Sequence, residues 1–141
     1  MEQNATVTSG HWEILEEHAS RIRRVVFIDE QQVAQEEEWD GRDTECLHFL
    51  ATLNGEPVGT ARLLPDGHIG RVAVLSSARG TGIGYQLMEA VIKAAREAGH
   101  PHAALSAQLH ALAFYERLGF VAHGDVFMDA GIPHREMTLF L

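Results

Sequence analysis

The chain has 141 residues, of which 45% are hydrophobic and 22% charged, and a formal net charge of −9. That length and balance suit one folded domain, residues 1–141, with a core of its own, and give no sign of disorder. The acidic balance argues against a nucleic-acid partner, which calls for a basic face, and no apolar run nears the ~18 residues of a membrane helix.

The opening stretch "MEQNATVTSG" carries neither a basic leader nor an apolar secretion core, so a cytoplasmic location away from membranes is expected. The single cysteine, Cys46, cannot form an internal disulfide and is expected to pack as a small hydrophobe. Nine histidines raise the question of a metal. Only His100 and His102 lie close together, with no carboxylate or thiol at ligand spacing, so no metal is expected.

In chain order, Trp12, Leu15, Ala19, Ile22 and Val26 recur at steps of three and four, which predicts an amphipathic helix from about 11 to 27 capped by Thr8 or Ser9. "EEEWDGRD" ends that pattern with charge and a D-G turn. Three β-rich runs follow, near 46–53, 57–64 and 67–74, parted by "NGE" and "PDG", and read as antiparallel strands. Ile83, Leu87, Val91, Ala94 and Ala98 form one face of a second helix that ends at Gly99. Beyond it come a buried strand "HAALSAQ", a short helix "LHALAFYERLG", a strand and turn "FVAHGDVFMDAG" and a closing strand "HREMTLFL". The fold class is α+β, a mixed sheet with one crossover unit.

The strand-to-helix turn "RGTGIG", residues 79–84, is the most informative stretch. The backbone N–H groups at a helix start lack intrahelical partners. Gly80, Gly82 and Gly84 let an anion approach and permit positive φ, while Arg79 and the helix dipole add positive charge. A diphosphate is the natural occupant, a bare tight turn the bland alternative. A Walker loop is excluded because no Lys-Ser/Thr follows the glycines, and a dinucleotide fingerprint fits poorly after a third antiparallel strand.

"VAVLSSARGTGIGYQLM" resembles motif A of the GNAT acyltransferase superfamily, whose Arg/Gln-x-x-Gly-x-Gly/Ala element binds the pyrophosphate of acetyl-CoA; Arg79, Gly82 and Gly84 match it. "QLHALAFYERLGF" resembles the family's Asn-x-x-Ala-x-x-x-Tyr-x-x-x-Gly-Phe segment at Ala111, Tyr115, Gly119 and Phe120, with Gln108 at the Asn position. "VVFIDEQ", "EEEWDGRD", "RLLPDG", "GRVAV" and "GIPH" are similar to the small bacterial ElaA-like and YjcF-like members. The resemblance implies the GNAT fold, a sheet splayed near its middle with acetyl-CoA in the splay. It implies a cofactor site made by Val72, Ala73, Val74, Arg79, Gly80, Thr81, Gly82, Ile83, Gly84 and Gln108.

By the same resemblance Tyr115 is the acid that protonates the departing thiolate, a role open to a phenol still protonated at neutral pH. The base is left open among Glu30, Glu38, His48 and His134. The acceptor side is also similar to acyl-homoserine-lactone synthases at Glu38, Asp40, Asp43, Arg62 and Arg71. Those groups, with Glu30, either orient a small amine-bearing acceptor or form a structural network that fixes the "EEEWDGRD" loop. The expected activity is N-acetyl transfer to a small metabolite. A lactone-synthase-like acyltransferase, a non-catalytic CoA-binding sensor and a plain interaction domain are the alternatives. Monomer and homodimer both stay open, the resemblance implying the homodimer.

Overall fold

The computed structural model describes residues 4–141. Four strands, β1 (Ala5–Gly10), β2 (Leu47–Leu53), β3 (Glu56–Leu63) and β4 (Ile69–Val74), form an antiparallel sheet in that order. Strands β5 (His102–Gln108), β6 (Val121–Asp129) and β7 (Ile132–Phe140) form a second antiparallel sheet in the order β5-β7-β6. The crossover helix α3 (Ile83–Glu97) carries the chain from the first sheet to the second. The architecture is the expected α+β class, with the expected sheet divided in two.

The three predicted hairpin strands are present, and their turns have local causes. Asn54 and Gly55 take φ of +53° and +83°, as a two-residue hairpin turn requires. In the second turn the Leu64 amide donates to the His68 carbonyl at 2.8 Å.

Strand β1 was not expected, and it overturns the predicted helix cap. Thr8 and Ser9 lie in β1, paired with Leu50 and Phe49, while His11 occupies the cap position with no side-chain bond. The β-branched Thr6-Val7-Thr8 run fits an edge strand, but its alternation is too short to stand out. The first helix, α1 (Trp12–Arg23), continues as a wider π-helical segment, Arg24–Glu30, past the predicted end. A short turn α2 (Gln35–Glu38) forms where only a break was foreseen. The fourth helix, α4 (Leu112–Arg117), follows a 3₁₀ turn at Leu109–Ala111.

Helices cover both faces of the first sheet. Leu15, Ile22 and Val26 pack on Leu50 and Ala73 from one side. From the other, Ile83, Leu87, Met88, Val91, Ile92 and Ala95 of α3 enter the main core with Phe49, Ala61 and Leu105. The buried face of α3 thus ends on Ala95 and leaves Ala98 exposed; at 3.6 residues per turn the apolar stripe drifts off a strict three-four count. Cys46 is buried at 2% exposure, as expected for a packed thiol, and its Sγ–H donates to the Arg42 carbonyl at 3.3 Å.

Candidate active site

The two sheets touch at one point and then separate. A parallel bridge joins His68 and Ala104, and the Ala104 amide donates to the Gly67 carbonyl at 3.2 Å. Beyond that contact β4 and β5 diverge, and a cavity of about 810 Å³ opens between them. Its walls are β4 from Ile69 to Val74, Ser106 and Gln108 of β5, His134 of β7, and the end of the π-helical segment.

A bulge aims β4 into this space. The β3–β4 register shifts between Thr60 and Arg62, and Arg71 takes a φ of +51°, a conformation that a side chain adopts only under constraint. Past the bulge, Ala73 pairs with Thr60 and the Leu75 amide donates to Val58 O at 2.8 Å, so these residues face β3. By the two-residue alternation of a strand, the N–H and C=O of Val72 and Val74 face the cleft. Of the three predicted backbone positions, Val72 and Val74 offer donors there and Ala73 does not.

The glycine turn stands at the end of β4. Gly80 and Gly82 have φ of +79° and +86°, and a β-carbon on either would meet no atom within 4 Å, so the space beside both is open. Gly82 is the N-cap of α3, whose first intrahelical bond runs from the Gln86 amide to Gly82 O at 3.1 Å. The amides of Gly84 and Tyr85 precede that bond and have no acceptor among the described residues. The Thr81 hydroxyl is engaged locally: it donates to Ala78 O at 2.6 Å and lies 3.4 Å from the Ile83 amide. The Ile83 side chain is buried. Gly84 differs from the expectation for it. It lacks a positive φ, and a β-carbon there would lie at ordinary contact distance, 3.6 Å from Phe114 Cζ and 3.7 Å from Val74 Cγ2, so what it offers a ligand is its unpaired amide rather than open space.

Arg79 binds two groups at the mouth of the cleft. Its Nε donates to Val74 O at 2.9 Å, and its Nη2 lies 3.1 and 2.9 Å from the two oxygens of Glu30. The next residue, Gln31, accepts a 2.9 Å bond from Gln108 Nε2.

The predicted acceptor wall is a buried ion-pair network, and the sequence missed its centre. Arg23 is 1% exposed; its Nε donates to Glu38 and its Nη1 to Asp43, both at 2.7 Å. Arg62 grips Asp40 at 2.6 Å and Asp43 at 2.9 Å, while Arg71 Nε lies 3.0 Å from Glu38. The indole rings of Trp12 and Trp39 flank Arg23 at 5.4 and 4.9 Å. Asp40 and Arg62, predicted to bind substrate, are not among the cavity-lining residues; of the wall, Glu38 and Arg71 reach the cavity. The one available signal for Arg23 was a charged side chain one residue past Ile22 on an otherwise apolar helix face. The bond from Arg62 holds the Asp40 carboxyl well below the usual range. Burial would raise Asp43, but its bonds to Arg23 and Arg62 outweigh burial and lower it.

Tyr115 lies on the core side, edge-on to Phe114 and Phe120 with ring centroids 5.1 and 6.0 Å away. Burial pushes its phenol up to about 12, and its hydroxyl has no hydrogen-bond partner among the described residues. Of the base candidates, His48 is 1% exposed, lies under Trp12 at 4.6 Å and bonds to Asp43 O, away from the cavity. Burial lowers its pKa. His134 lines the cavity, with Nδ1 2.7 Å from Ile132 O.

Residues 15–141 match the acetyltransferase (GNAT) domain model. The uncharacterized Bacillus subtilis N-acetyltransferase YjcF is 39% identical over 120 residues, covering 82% of this chain and 86% of that one. Among solved structures, an acyl-CoA N-acyltransferase from Pseudomonas aeruginosa is 35% identical with a TM-score of 0.85, over 96% of this chain and 99% of the other. Escherichia coli ElaA is 27% identical with a TM-score of 0.85, over 96% and 99%. With a splayed pair of sheets, a bulged strand facing the opening and a glycine-lined helix start at its end, the chain belongs to the GNAT acetyltransferase family and is an acyl-CoA-dependent acyltransferase.

Proposed function

We propose that the chain transfers an acetyl group from acetyl-CoA to the amine of a small metabolite by direct attack on the thioester. The observation that carries this reading is a pair of main-chain donor sets, the cleft-facing amides of Val72 and Val74 and the unpaired amides of Gly84 and Tyr85 beside the open positions of Gly80 and Gly82. Donors at a helix N-terminus suit the diphosphate, and strand-edge amides suit a thioester carbonyl whose oxygen gains charge as the amine adds. Tyr115, matched by the family segment and protonated at neutral pH as any phenol is, supplies the proton for the departing sulfur.

The choice of acetyl follows the B. subtilis relative, an uncharacterized N-acetyltransferase. An amine acceptor fits the exposed carboxylates of Glu37 and Asp129, which line the cavity without an ionic partner among the described residues. No described helix is long and apolar enough to cross a membrane. The proposal places the reaction in the cytoplasm, with no metal, membrane or nucleic-acid partner, and with a homodimer as the assembly to test.

Calorimetry with acetyl-CoA, followed by free-thiol release with a panel of primary amines and with acetyl-, butyryl- and hexanoyl-CoA, tests this. Binding with amine-dependent thiol release that is fastest for acetyl-CoA is expected. Binding without amine-dependent release points to a CoA sensor, and preference for a longer chain overturns the choice of acetyl.

A further inference from the structure

Four side chains were candidates for the base, and the structure separates them. Both oxygens of Glu30 lie within 3.1 Å of Arg79. Glu38 is 3% exposed and held between Arg23 and Arg71. His48 is closed off beneath Trp12. His134 alone combines burial, a place on the cavity wall and no ionic partner among the described residues. The other titratable groups on that wall, Glu37, His68, His110 and Asp129, are exposed to solvent.

The protein dictates the tautomer of His134. A carbonyl oxygen only accepts, so the 2.7 Å contact to Ile132 O places the hydrogen on Nδ1. The neutral ring then carries its lone pair on Nε2, which has no partner among the described residues and is not sealed from solvent. Phe127 stacks on the ring at 5.9 Å with an interplanar angle of 25°, which limits its rotation. In register His134 stands opposite Gln108, whose amide bridges to Gln31, and cross-strand partners share a face. The imidazole therefore faces the side of the splay bounded by the π-helical segment.

We infer that His134 is the general base of the transfer, with Nε2 taking the proton of the attacking amine. This rests on the acyl-transfer reading above. The nitrogen of the neutral amine bonds to the thioester carbonyl carbon, and its proton passes to Nε2. The carbon–sulfur bond then breaks with its electron pair on sulfur, which takes the Tyr115 proton. The imidazolium returns its proton to water and the phenolate regains one from water, leaving an amide and a free thiol.

The test compares wild type, His134→Gln and His134→Ala. Acetyl-CoA binding is read by calorimetry, and thiol release is read with the panel amine that the wild type uses fastest. With binding unchanged, His134→Gln should lower kcat by roughly 100-fold, the scale of a lost general base. Added imidazole should restore part of the rate to His134→Ala, which a merely structural role does not allow. A His134→Gln protein within threefold of wild-type kcat overturns the assignment. So does loss of acetyl-CoA binding together with activity in both variants, which marks His134 as structural. A wild type that binds no acetyl-CoA overturns the underlying reading instead, and this inference with it.

Discussion

Glu30 holds Arg79 across the mouth of the cleft, both carboxylate oxygens within 3.1 Å of one guanidinium nitrogen. Because Gln31 bonds Gln108, two adjacent residues of one segment tie the end of β4 to the end of β5. The diphosphate proposed for the glycine turn competes with Glu30 for the same arginine. Glu30→Gln should therefore tighten coenzyme A binding by roughly two- to fivefold, the scale of a half-exposed ion pair. Unfolding temperature should hardly change. Calorimetric titration of both proteins reads the difference, and weaker binding by the variant would show that Glu30 supports Arg79 rather than competing for it.

The glycines of the turn are not equivalent. Gly82→Ala forces a β-carbon onto a φ of +86°, at a cost of about 1–2 kcal/mol, and places a methyl group in the open space beside the helix start. Gly84→Ala makes ordinary contacts with Phe114 and Val74 and gains up to about 1 kcal/mol of helix propensity. The expected pattern is a lower melting temperature and weaker coenzyme binding for the first, with unchanged or higher stability for the second. Equal losses in both variants would contradict the separation of roles.

Arg23 neutralises two buried carboxylates at once. Arg23→Met leaves Glu38 and Asp43 short of a partner and should cost about 3–5 kcal/mol in denaturant unfolding. Restoring balance by joining Arg23→Met to Asp43→Asn, which leaves Glu38 with Arg71 and Asp40 with Arg62, should recover much of that loss. A single substitution that costs under 1 kcal/mol would mean that water reaches the network freely.

The same network confers acid sensitivity of a definite sign. Asp40 and Asp43 are held below their usual pKa when folded. Their stabilisation is therefore complete above the ordinary carboxylate value of about 4 and lost as pH falls below it. Melting curves from pH 7 to pH 3 should show the wild type losing stability more steeply than Asp43→Asn in the acid range. Parallel curves would sever Asp43 from the effect.

Tyr115 makes two separable predictions. Its hydroxyl has no hydrogen-bond partner among the described residues, so Tyr115→Phe should fold with near wild-type stability at neutral pH and bind acetyl-CoA, while kcat falls. Since burial raises the phenol from its usual 10 to about 12, ionisation is disfavoured in the folded protein. Its contribution is intact below pH 10 and lost as pH rises toward 12, so wild type should lose stability there faster than Tyr115→Phe. Unaltered kcat in the variant would remove Tyr115 from the chemistry.

What the sequence by itself determined is local. The three-strand meander, the amphipathic run from Ile83 and the glycine turn before it each follow from periodicity or from φ preferences within a few residues, and all were legible. Strand β1 was not, because its edge position depends on β2, more than 35 residues further on. The tertiary structure alone decided which charges meet. Arg23 pairs with Asp43 across 20 positions, Arg79 with Glu30 across 49 and Gln108 with Gln31 across 77. No residue pattern encodes such pairs, since they arise when separately stable elements pack and the polar groups caught between them must find partners or stay in water. That accounting sent Arg62 and Asp40 into the scaffold and left the ring of His134 at the cavity wall.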